Sequence, residues 1–222
     1  MVPRTAIRPV PSAERMSPKP FAAATERNSQ PVLEVVSHEF ERAANVLEIG
    51  SGTGQHAVYF AKALSHLDWQ TSELAENHAG INLWLDEAGL PNVKRPIELD
   101  VTTAEVSPQS YGAVFSANTA HIMSFAAVVK MFSLVCSALR ENGVFCLYGP
   151  FRQGGEFSTQ SNADFDASLR ERNAEMGIRD IEALDELGES GGLLRERLYA
   201  MPANNCLAVW KKKATGFGDD NT

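Results

Sequence analysis

The residues best suited to chemistry in this chain fall in one short run: Glu48, Gly50, Gly52 and Gly54, with Gln55 and His56 directly after. Val46, Leu47 and Ile49 form a brief apolar stretch through the start of this run, suited to a strand covered on both faces in a parallel sheet. A helix is expected behind it, from about Gln55 to Leu64. Alternating glycines let the backbone turn sharply and approach a ligand with no Cβ in the way. The helix then aims its free N–H groups back at the turn. Such geometry suits a nucleoside-bearing ligand at the carboxyl end of the first strand. The dinucleotide fingerprint G-x-G-x-x-G needs its third glycine where this chain has Gln55. Glu48 would repel a pyrophosphate, and suits a cationic or amino-acid-bearing ligand instead.

The elements that must position this turn alternate strand and helix. Pro31 suits the first turn of a helix whose apolar stripe is Val32, Leu33, Val35, Val36 and Phe40. A second strand, Asp68 to Ser72, ends at Glu73, about twenty residues beyond the glycines. An acidic side chain there can accept both ribose hydroxyls, or simply cap the next helix, Ala75 to Ala88. In that helix Trp84 reads as core. Pro96 to Leu99 forms a third strand delivering Asp100 and Val101, and Tyr111 to Ala117 a fourth delivering Asn118, Thr119 and His121. A helix from Phe125 to Leu139 ends at Glu141-Asn142-Gly143 with a left-handed residue, and Val144 to Tyr148 is the fifth strand. Phe151 to Ser161 reads as a polar lid loop, and Ser161 to Asp164 as the cap of a helix carrying Phe165 and Leu169 inward. A helix from Asp180 to Leu187 and two strands, Leu193 to Met201 and Cys206 to Lys211, close the chain as a hairpin. The whole is an α/β, doubly wound, mostly parallel seven-stranded sheet with a C-terminal antiparallel hairpin.

Bulk composition narrows the function. The 222 residues, 44% hydrophobic and 22% charged, suit one domain at about residues 19–213. Residues 1–18 read as a disordered leader and 214–222 as a frayed tail. A net charge of −8 argues against a hold on nucleic acid phosphates, and favours small-molecule substrates. Three scattered cysteines, Cys136, Cys146 and Cys206, form neither a disulfide framework nor a zinc site, and fit a reducing cytosol. The five histidines show no metal spacing, and no apolar run approaches the ~18 residues of a membrane span. His56 reads as solvent-exposed or touching a cofactor.

The acidic-x-Gly-x-Gly-x-Gly form of Glu48 to Gly54 resembles the first motif of S-adenosylmethionine (SAM) dependent methyltransferases with the doubly wound, Rossmann-like fold. In that pattern the loop wraps the methionine end of the cofactor. The resemblance implies that Asp100 takes the exocyclic amine of adenine while Val101 lies on its ring, and that Asn118 to Ile122 meets the methyl acceptor. The closing hairpin also separates this fold from dinucleotide-binding domains, so a nicotinamide-dependent oxidoreductase is the weaker reading. A narrower likeness rests on Pro20 to Asn28, Val46 to His56, Asn118 to Ile122, Tyr148 to Phe151, Ser161 to Asp166 and Met201 to Asn205. Together these resemble the bacterial and animal group that includes methyltransferase-like protein 26. It departs from the commoner pattern in having Glu73 where an aspartate is expected.

The function expected is methyl transfer from SAM to oxygen or nitrogen of a small molecule. The rival is a non-catalytic SAM-binding protein acting through partners. His121 is the candidate base or acceptor-orienting group, since an unperturbed imidazole titrates near neutrality, and a packing role is the plain alternative. Asn118 and Thr119 would hold the methionine or flank the acceptor, while Arg27 and Asn28 could reach the methionine carboxylate. Tyr148, Asn162, Asp164 and Asn204 could line the acceptor pocket, or serve as caps and turns.

Overall fold

The computed structural model describes residues 19–214, so the reading of 1–18 as a leader, and of the tail beyond 214, falls outside the described residues. Helix α1 (Ala23–Glu39) is followed by β1 (Asn45–Ile49), α2 (Gln55–Ala63), β2 (Asp68–Glu73), a short 3-10 turn (Ala75–Asn77), α3 (His78–Ala88) and β3 (Val93–Glu98). The second half comprises β4 (Tyr111–Ala117), α4 (Phe125–Ala138), β5 (Leu139–Gly149), β6 (Phe151–Gln153), β7 (Glu156–Phe157), α5 (Gln160–Arg172), β8 (Arg179–Asp180), α6 (Ile181–Ser190), β9 (Leu193–Met201) and β10 (Asn205–Lys212).

Seven strands form one sheet in the order β3-β2-β1-β4-β5-β10-β9. The first five are mutually parallel, and β10 runs antiparallel to both β5 and β9. The chain winds outward from β1 to β3, then returns to the other side of β1 at β4. That reversal opens a crevice beyond the carboxyl ends of β1 and β4, where doubly wound sheets bind ligands.

Alternation along the buried strands sends side chains to two cores. Val46 joins Phe60, Trp69 and Phe115 beneath α1 and α2, whereas Leu47 and Ile49 join Phe132, Phe145 and Trp210 beneath α4 and α6. The rings interlock at 5.4 Å (Phe60–Phe115) and 5.4 Å (Phe132–Trp210), edge to face. The site therefore rests on a rigid platform.

Four expectations need correction. Pro31 is inside α1, not in its first turn. The Gln55 side chain sets the helix start by accepting the Ala22 N–H at 2.6 Å, and burial of Val32, Val36 and Phe40 outweighs the hydrogen bond that the proline removes. Helix α4 passes directly into β5 through extended Leu139, and the left-handed residue Asn142 lies within the strand, where the pairing with β4 shifts register. The expected lid loop holds β6 and β7, which with β8 make a separate three-stranded sheet. The cap of α5 is Thr159, whose hydroxyl accepts the Asn162 N–H.

Candidate functional site

A cavity of about 920 Å³ opens at the crevice and is walled by the tips of β1 to β4, the 3-10 turn, the segment before α1 and Phe165 of α5. It brings together Gly50, Gly52, Glu73, Asp100, Val101, Asn118, Thr119 and His121 of the residues singled out above. It leaves Arg27, Asn28, Glu48 and Gly54 off its wall.

The glycine loop is locked from both sides. All three glycines have positive φ, and the Ser51 N–H bonds the Ser72 carbonyl at 2.9 Å. A Cβ on Gly54 would meet Ile81 Cγ2 at 3.1 Å, so this glycine lets α2 pack against α3 and does not face the cavity. At Gly52 a Cβ would meet nothing within 4 Å, because that position opens into the cavity. The Gly52 N–H donates to Glu73 Oε2 at 2.9 Å, and the Leu74 N–H to Oε1 at 3.0 Å. One carboxylate thus holds the loop to the end of β2, and each oxygen retains a lone pair for a hydroxyl.

Glu48 turns under the loop. Its Oε2 accepts from Trp69 Nε1 at 3.0 Å and Ser51 Oγ at 2.9 Å. Burial raises its carboxyl to about 7; the Trp69 and Ser51 bonds oppose this, and nearby Glu73 adds to it. Asp100 is fixed by its own turn, Oδ1 accepting from the Thr102 N–H at 2.9 Å and Thr102 Oγ1 at 2.7 Å. Those two bonds, the backbone one foremost, hold its carboxyl below the usual range.

Across the crevice, Asn118 adopts φ +59° and donates its N–H to the Tyr148 carbonyl at 2.8 Å, a left-handed exit that asparagine tolerates. Thr119 is buried: its Oγ1 lies 2.7 Å from Ser116 Oγ, and its Cγ2 fills the space where a Gly50 Cβ would stand. His121 is 6% exposed, with its ring against Phe165 (centroids 5.4 Å apart). Neither ring nitrogen has a hydrogen-bond partner among the described residues. Burial first, then the charges of Arg179 and Arg172, lower its pKa to about 4. The premise of an imidazole poised near neutrality therefore fails: the ring is neutral at pH 7, with one N–H to give and one lone pair.

For His56 only the solvent-exposed reading is corrected. It is buried, stacked on Phe60 at 5.0 Å, and its Nε2 donates to Asn28 Oδ1 at 2.7 Å, with burial lowering its pKa to about 4, but it does line the cavity. Asn28 thus serves as a buried strut between α1 and α2. Arg27 is exposed on α1. Asn162 bonds Ser158 Oγ and the Asn204 carbonyl, each at 3.0 Å, and Asp164 bonds Gln160, so these residues shape turns and leave the wall to others. Among the described residues no group of three or more His, Cys, Asp or Glu is placed to hold a metal.

Two features escaped the sequence. The segment before α1 borders the cavity as a strap held to α3: the Pro20 carbonyl accepts from Trp84 Nε1 at 2.7 Å, and Lys19 Nζ stands 3.6 Å over the Trp84 ring while pairing with Glu87 at 2.6 Å. Trp84 is thus half-buried beneath the strap and not in the core. The second is Arg179, buried, with Nε donating to the Ala120 carbonyl at 3.0 Å and Nη2 to the carbonyls of Glu175 (2.8 Å) and Met123. Together with the Gly177 N–H on the His121 carbonyl at 2.9 Å, it pins the His121 segment to the α5–β8 connection. Apart from Glu175, these partners lie more than fifty residues apart in sequence, which no local pattern records.

The sheet order and the glycine crevice define the fold of the SAM-dependent methyltransferases. An O-methyltransferase family protein from Burkholderia thailandensis superposes with a TM-score of 0.74 at 14% identity, over 87% of this chain and 58% of that one. Mitomycin 7-O-methyltransferase MmcR gives 0.75 at 18% over 86% and 55%, and PigF with SAH gives 0.70 at 16% over 86% and 64%. The chain spans less than two thirds of the length of each of these structures. Residues 19–212 match the family described as "Protein of unknown function (DUF938)", and the chain belongs to that family.

Proposed function

We propose that this protein transfers a methyl group from SAM to an oxygen or nitrogen of a small molecule. The observation that carries this reading is the division of one cavity, with a glycine loop and two strand-tip carboxylates on one side and an unpaired neutral imidazole on the other. The residues fit the cofactor: Gly52 leaves open the space a side chain would fill, and Glu73 keeps lone pairs for a ribose. Asp100 and Val101 would receive the adenine, and the backbone at Gly50 and Asn118 the methionine. Bound there, SAM supplies an electrophilic methyl group on a sulfonium sulfur. Glu48 acts from below the loop, where its ionised form would favour a cation above it. Arg27, from α1, could meet the methionine carboxylate at the rim. His121 orients the acceptor by hydrogen bonding, and the strap and Phe165 exclude water.

The narrower kinship is with the group that includes methyltransferase-like protein 26. A reducing cytosol suits the three free cysteines. The test is calorimetric titration with SAM, its demethylated product S-adenosylhomocysteine (SAH), and NAD, followed by labelled SAM with fractionated metabolites. Binding of SAM and SAH without NAD, and label in one fraction, is the expected result. Tight NAD binding without SAM rejects the reading, and SAM binding with no labelled fraction favours a non-catalytic protein.

A further inference from the structure

The acceptor end of the cavity has no carboxylate on its wall. Strand order puts Glu73 and Asp100, at the tips of β2 and β3, on one side of the glycine loop, and the tips of β4 and β5 on the other. On that far side the wall is Asn118, His121, Ile122, Met123, Ala127 and Phe165, with no carboxylate among them. Ile122 and Phe165 remain 48% and 36% exposed, large apolar surfaces turned to the opening. Behind the wall stand two guanidinium groups that act on His121, Arg179 from β8 and Arg172 from α5. Arg179 is held by carbonyl oxygens, and Arg172 by the Ser168 carbonyl, so no ion pair with a carboxylate neutralises either charge among the described residues. The neighbouring acid, Asp166, bonds Arg170 and the Ile178 N–H, each at 2.7 Å, and partly offsets the charge of Arg179, while Arg170 and Arg152 add positive charge beside it. Gly149 and Phe165, which face the imidazole from β5 and α5, do not titrate.

A neutral hydroxyl or ammonium acceptor would need a group to take its proton, and the wall at this end offers only an imidazole, with arginines behind it. We propose that the acceptor is a flat apolar molecule that enters already ionised on oxygen, a phenolate or carboxylate, and is methylated on that oxygen. The proposal rests on the methyltransferase reading. One oxygen lone pair forms the new O–C bond, the C–S bonding pair returns to sulfur, and no proton is released in the step. His121 donates its N–H to the incoming oxyanion, and the two arginines raise the local concentration of anions. The apolar wall takes the ring.

The probe is 4-nitrophenol, whose ionised form is coloured, titrated against pH with and without saturating SAH. SAH binding, measured first by calorimetry, tests the underlying methyltransferase reading. The nitrophenol titration reads anion preference whether or not SAH binds. The expected result is phenolate binding about tenfold tighter than the phenol, seen as a fall of about one unit in the probe's own pKa. The exposed substitution Arg172→Gln should shrink that preference about twofold, with SAH affinity unchanged. Equal binding of the two forms, tighter binding of the uncharged 4-nitrotoluene, or no saturable binding of the phenolate overturns the proposal.

Discussion

The two sides of the cavity are built differently. On the β1–β3 side, ligand-facing groups are glycine backbone and carboxylates already fixed by neighbours close in sequence or one strand away, as in Glu73 on Gly52 and Leu74, or Asp100 on Thr102. On the β4–β5 side, His121 has no side-chain hydrogen bond, and its position depends on Arg179 and Gly177 reaching back across the fold. One side is preorganised locally, which suits a ligand common to many enzymes. The other is assembled at long range, which, under the proposed function, would let the acceptor pocket change without disturbing the cofactor seat.

This contrast can be broken by substitution. Arg179→Met should have the largest effect on stability, because it strands the Ala120, Met123 and Glu175 carbonyls; a loss of about 3 kcal/mol or more is expected in denaturant melts. SAM affinity of the folded fraction should change far less, and an equal collapse of both would show that the two sides are not separable. Gly52→Val places a branched side chain in the cavity at a left-handed φ of +57°. It should cost about 3 kcal/mol of SAM binding, roughly a hundredfold, with a much smaller shift in melting temperature. Unchanged affinity would remove the loop from the cofactor seat. His121→Ala should slow turnover by about ten- to a hundredfold while calorimetry finds SAM affinity within about twofold. Wild-type turnover would leave His121 as packing.

The smallest effect concerns pH. Glu48 titrates near 7 when folded against a usual 4.5, so its contribution to stability is full below 4.5 and is lost as pH rises through about 7. His56 and His121, near 4 against 6.5, contribute in the opposite sense, fully above 6.5 and lost as pH falls through about 4. Two histidines outweigh one carboxyl up to 6.5, so stability should rise to about that pH and then decline slightly toward 7. Glu48→Gln, which can still accept from Trp69 and Ser51, should remove the decline and add on the order of 1–2 kcal/mol at pH 8. A variant that loses stability at pH 8 would show that Glu48 is ionised at little cost.

What was legible in the sequence follows the same division. Short apolar runs, the glycine turn, and the acids at strand tips are local patterns, and the sheet and its closing hairpin could be read from them. Pro31 misled because a tertiary bond from Gln55 to Ala22 sets the start of α1. His56 misled because a polar residue in the first turn of a helix usually faces water, whereas Asn28 and Phe60 bury it here. The strap over Trp84 and the Arg179 staple depend on partners about sixty residues apart, and sequence spacing holds no trace of such pairs.

The most direct test of the cofactor assignment is a crystal structure grown with SAM. The expected result is a nucleoside in the crevice between Gly52 and Val101, with its ribose hydroxyls on Glu73 and its adenine beside Asp100. A crevice closed by the protein's own side chains, or SAM bound elsewhere, would contradict it.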